Sequence, residues 1–152
     1  IMKLAEALLL RSDLQTKLAS LQQRINQNVL VQEGDQPSED PNVLLNEAFQ
    51  VNTELHNLIQ RIHATNAQAK TSNGRILLAV LNERDALISQ HRILQQAIDH
   101  SRRDNARYSS SEIRWIKVIT VSDLQKQADD ISAQLRQNNL DIQASNWQID
   151  LI

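Results

Sequence analysis

Between Leu44 and Ala69 one series of side chains recurs at steps of three and four: Leu44, Ala48, Val51, Leu55, Leu58, Ile62, Thr65, Ala69. A pleated strand alternates its side chains with period two and would scatter this series over both faces. A helix of 3.6 residues per turn gathers it into one stripe. Three other stretches repeat the pattern. The first carries Leu4, Ala7, Leu14, Leu18, Leu21 and Ile25. Another carries Leu77, Val80, Arg84, Leu87, His91, Leu94 and Ile98, and the last carries Leu124, Ala128, Ile131, Leu135, Asn138, Ile142, Ser145 and Ile149. Glycine and proline occur only twice each among 152 residues, so the tight turns of a sheet sandwich are largely out of reach. The expected fold is all-α: an elongated antiparallel bundle of four long helices, in a single domain spanning residues 1–152.

The boundaries follow from local chemistry. Helix 1 is expected from about Lys3 to Val31, ending before "QEGDQPSEDP", where glycine, prolines and acids cluster. Asp40 is a good N-cap for helix 2, and Pro41 is preorganised for its first position. Asn73-Gly74 tolerates the left-handed backbone that a turn after helix 2 needs. Helix 3 dissolves in "HSRRDNARYSSSE". The next residues, "EIRWIKVITV", change character: β-branched and aromatic side chains predict an extended segment. Ser122 is then expected to cap helix 4, with Gln125 reaching back in a capping box. Each apolar stripe is narrow, of the coiled-coil kind. Second stripes (Leu81 with Ile88, Ile59 with Asn66) leave surface to cover, so a homo-oligomer is expected.

Composition narrows the function classes. Net charge is −2, with acids and bases interspersed and no basic stripe, so no nucleic-acid partner is expected. There is no cysteine, which removes disulfides and thiolate chemistry and suits a reducing cytoplasm. The longest apolar run, "ILLAVL", falls far short of the roughly 20 residues a bilayer needs. Glu6 interrupts any signal-peptide core, and Met2 is expected to be the natural start. No Gly-x-Ser-x-Gly, phosphate-cradling loop or dinucleotide fingerprint occurs, so no enzyme activity and no cofactor are expected. "YSSSE" (Tyr108 to Glu112) reads as a helix stop, and nothing fixes Tyr108 or Lys117 near a site.

One feature breaks the pattern. The position between Ala7 and Leu14 that should be apolar is Arg11, and Arg84 and His91 interrupt the stripe of helix 3. A loop centred on Pro37 sets Arg11 level with His63, and a turn at Asn73-Gly74 sets Arg84 level with Ala64. Arg11, His63 and Arg84 are therefore expected in one layer. Removing a guanidinium from water costs several kcal/mol unless partners compensate, which calls for nearby carboxylates. Glu6 and Asp13 are candidates on helix 1, Glu83 and Asp85 on helix 3. Asp129 and Asp130 would join them if the connection after Arg103 runs back and helix 4 starts at the Gly74 end.

Two readings of this layer stay open. Polar residues in a helical seam set register, and arginine can bury its stem while its head stays wet. Alternatively Arg11, Asp13, His63, Arg84, Asp85 and His91 form a pocket, with the two guanidiniums as forked donors to an anion. His56 and His63 share a face, but neither Glu-x-x-His nor His-x-x-x-His occurs, so no metal is expected.

With "MKLAEALLLRSDLQ" at the start, "VQEGDQPSEDP" in the first loop, "IHATNA", "ERDALISQHRIL", "RYSSSEIRWI", "VSDLQKQADD" and a late "NW", the chain resembles a family of small bacterial proteins labelled septicolysin-like. The likeness spans nearly the whole chain. It implies a pore-forming cytolysin, and it carries over no catalytic or binding residues. The residues themselves oppose membrane insertion: there is no long alternating hairpin and no Lys/Arg-rich helix face with aromatic anchors. The first reading is thus a cytoplasmic, self-associating helical module acting in structure or protein interaction. The cytolysin and a ligand-binding protein using the arginine layer are the alternatives.

Overall fold

The computed structural model describes residues 1–102 and 113–152. It contains four helices: α1 (Leu4–Asn28), α2 (Pro41–Gln68), α3 (Leu77–Ser101) and α4 (Val121–Gln148). No strand occurs among the described residues. An isolated bridge joins Lys3 to Asp150. The protein is all-α, as its three-four periodicity dictates. The chain forms two compact units, Ile1–Lys70 with Gln143–Ile152, and Thr71–Ile142.

In the first unit α1 and α2 form a hairpin. The α2 series is buried from Leu44 to Thr65 without a break, against Leu4, Ala7, Leu14, Leu21 and Ile25 of α1. Each such large aliphatic side chain taken from water stabilises the pair by about 1.5–3 kcal/mol. Asp40 caps α2 as expected: its Oδ1 accepts the Asn42 N–H at 2.9 Å, and Pro41 opens the helix. The last residues of the chain are laced onto this hairpin. Leu4 N–H donates to the Ile149 carbonyl and Leu151 N–H to the Met2 carbonyl, both at 2.8 Å. The Ile152 N–H donates to Thr65 Oγ1 at 3.0 Å, and Arg61 Nε donates to the Ile152 carbonyl at 2.9 Å. Thr65, wholly buried, also turns its hydroxyl to the Arg61 carbonyl. A threonine in the seam of α2 is therefore the fastening point for the tail.

In the second unit α3 pairs with α4. Asn138 is buried, and its Nδ2 donates to the Val80 carbonyl at 3.3 Å. That bond ties the early part of α3 to the late part of α4, while residues 115–119, just ahead of α4, lie beside Ala97, His100 and Ser101 at the end of α3. The two helices are thus antiparallel. Helix 4 starts at the far end of α3, not at the Gly74 end. Asp129 and Asp130 are exposed, and Asp129 takes a hydrogen bond from Gln125 on its own helix.

Two expected boundaries move. Helix 1 does not reach Val31; it stops at Asn28. Helix 4 begins at Val121, so Ser122 is inside it. The Asp123 and Leu124 N–H groups bond the Thr120 carbonyl, and Gln125 turns forward to Asp129 rather than back in a capping box. Residues 113–120 carry no helix, in keeping with their β-branched composition. The loop residues Tyr108 to Glu112 lie outside the described residues.

Candidate functional site

The end of α1 is decided by one side chain. Asn28 Nδ2 donates to the Arg24 carbonyl at 2.8 Å, and Asn28 Oδ1 accepts the Glu39 N–H at 3.1 Å. Arg24 closes the same gap with its planar fork. Nε donates to Glu39 Oε2 at 2.9 Å, and the second arm, Nη2, grips Oε1. This fork holds the Glu39 carboxyl below its ordinary range and raises the arginine. The chain that leaves the helix at residue 28 is therefore brought back at residue 39. Between them, Gly34 adopts the positive φ of 92° that a side chain would strain, and the Asp35 N–H closes a turn on the Gln32 carbonyl.

The clamp leaves an apolar loop in water. Val29, Leu30 and Val31 are exposed, Leu30 to 86%. Glu33, Asp35 and Asp40 are exposed beside them in sequence, and no lysine or arginine occurs from Val29 to Asn42. Assigning these valines to helix 1 misses this surface. The available signal is the asparagine followed by two valines in three residues, since β-branched side chains are poor helix formers and asparagine favours helix ends.

A second apolar surface lies in the other unit. The segment from Ile113 to Ile119 exposes Ile116 to 80% and Val118 to 93%. With Ala97, His100 and Ser101 its residues line an open pocket of about 450 Å³. Its charges are Arg114 and Lys117; no acid occurs from Ile113 to Ser122. The two surfaces are thus both apolar and carry opposite charge.

The expected arginine layer is distributed as follows. In the first unit Arg11 is half-buried, while Asp13 and His63 are exposed. In the second, Arg84 and His91 are half-buried. Arg84 Nε lies 3.5 Å from Asp85 Oδ1, a loose pair whose acid is 69% exposed. Glu83 does not serve Arg84; it pairs with Arg75 at 2.5 Å. The structure brings Arg84 to its sequence neighbour Asp85. Among the described residues no group of three or more His, Cys, Asp or Glu side chains is placed to hold a metal ion. None of the helices is long and apolar enough to cross a membrane, again among the described residues.

No curated protein matches the chain. A solved structure, of a functionally unknown conserved protein from Corynebacterium diphtheriae, is 36% identical, covers 99% of both chains and superposes with a TM-score of 0.91. Neither this match nor the family match points to septicolysin-like proteins, so that resemblance is overturned. Residues 11–151 match the model of a family of unknown function, DUF6847, and the chain belongs to that family.

Proposed function

We propose that this helical module works by binding copies of itself. The observation that carries the reading is the exposure of large aliphatic side chains in two runs, with Leu30 in one and Ile113, Ile116 and Val118 in the other each at 80% or more. Each forgoes about 1.5–3 kcal/mol that burial would supply. Single exposed leucines are ordinary, but runs of them mark interaction surfaces. Association costs about 4–15 kcal/mol in lost freedom, so several of these side chains must be buried together for copies to bind. A cysteine-free chain suits a cytoplasmic setting for this association.

Multi-angle light scattering over a hundredfold concentration range is the test. A weight-average mass rising above the single-chain 17.3 kDa is expected. A mass fixed at that value up to the highest concentration refutes self-association.

A further inference from the structure

We propose that copies join through unlike surfaces: the acidic apolar loop of one copy, Val29–Val31 with Glu33 and Asp35, docks on the basic apolar segment Arg114–Val118 of a second copy. This inference rests on the self-association reading and specifies its interface. The argument is charge complementarity between two surfaces that are otherwise alike. Loop against loop would oppose Glu33 and Asp35 with their own copies. Segment against segment would oppose Arg114 and Lys117 with theirs. Like charges brought together in a partly desolvated contact are repulsive, which disfavours both symmetric pairings. Loop against segment cancels the charges and still buries aliphatic side chains from both sides.

The segment has room beside it for an apolar side chain. The pocket of about 450 Å³ beside the segment is of the size that takes a small apolar group, and Leu30 is the most exposed aliphatic side chain of the loop. The loop needs little ordering on binding, because Arg24, Asn28 and Glu39 already fix its base.

Charge exchange tests this. One variant carries Glu33→Lys and Asp35→Lys; the other carries Arg114→Glu and Lys117→Glu. All four residues are exposed, and circular dichroism confirms the fold of each. Each variant alone presents two like-charged surfaces and is expected to associate at least about tenfold more weakly than the unmodified chain at low salt. An equimolar mixture restores association, because the basic loop of one meets the acidic segment of the other. Either variant alone associating as strongly as the unmodified chain overturns the proposal, as does a mixture no tighter than its components. An unmodified chain that stays monomeric refutes self-association itself, which is a distinct outcome.

Discussion

Replacing Thr65 by valine removes a hydroxyl while keeping the branched shape of the side chain. Thr65 is fully buried; its Oγ1 donates to the Arg61 carbonyl at 2.8 Å and accepts the Ile152 N–H at 3.0 Å. The first bond is worth little, because the Arg61 carbonyl keeps its helical partner. The second is a neutral hydrogen bond with a net value of about 1 kcal/mol. Its donor belongs to Ile152, 53% exposed, so water can replace the lost acceptor and the full desolvation penalty does not apply. The expected loss is therefore about 1 kcal/mol, or about 2–4 °C in melting temperature for a chain of this size. Urea denaturation measures the first quantity. Amide hydrogen exchange measures where the loss falls. Protection of the Ile152 amide should drop, while Leu151 and Leu4, bonded to the Met2 and Ile149 carbonyls, keep theirs. An unchanged Ile152 amide, or a loss above about 3 kcal/mol, refutes the assignment of Thr65 as a simple fastening point.

Ile62→Ala, at a residue only 1% exposed in the α1·α2 interface, is expected to cost about 3–4 kcal/mol in urea denaturation; a loss under about 1 kcal/mol would mean that the seam relaxes around the gap. Lys3→Ala breaks a 2.7 Å ion pair to Asp150, whose partners are 40% and 52% exposed, and a 3.3 Å hydrogen bond to the Gln148 carbonyl, so about 0.5 kcal/mol is expected at low salt, with the difference from the unmodified chain shrinking as salt rises toward about 1 M. Glu39→Gln probes the Arg24 fork through pH. The fork depresses the folded pKa of Glu39, so its contribution is complete above the unfolded value of about 4.3 and disappears as pH falls through the lower folded value. The stability gap between the unmodified chain and Glu39→Gln should then be full at neutral pH and close in acid. A gap that widens on acidification contradicts the sign.

The sequence is most legible where one rule acts alone. The α2 stripe is pure periodicity, and every member from Leu44 to Thr65 is buried. Asp40-Pro41 is local capping chemistry, and it starts α2 as read. Legibility falls where a distant partner intervenes. Asn28 ends α1 early because Glu39, eleven residues on, supplies the N–H that its Oδ1 accepts, and no window within α1 contains that partner. Ser122 has the composition of a cap, yet α4 starts before it.

What the chain fixes by itself is therefore its helices and their buried faces, because the 3.6-residue repeat is a property of the backbone and the apolar stripe is written on it. Tertiary structure decides direction and fastening. Asn138 meeting Val80 makes α4 antiparallel to α3 and leaves Asp129 and Asp130 facing solvent, and Thr65 meeting Ile152 laces the tail to α2. It also decides that Val29–Val31 and Ile116–Val118 remain in water, because burial needs a facing surface, and a pattern along one chain does not say which surface that will be.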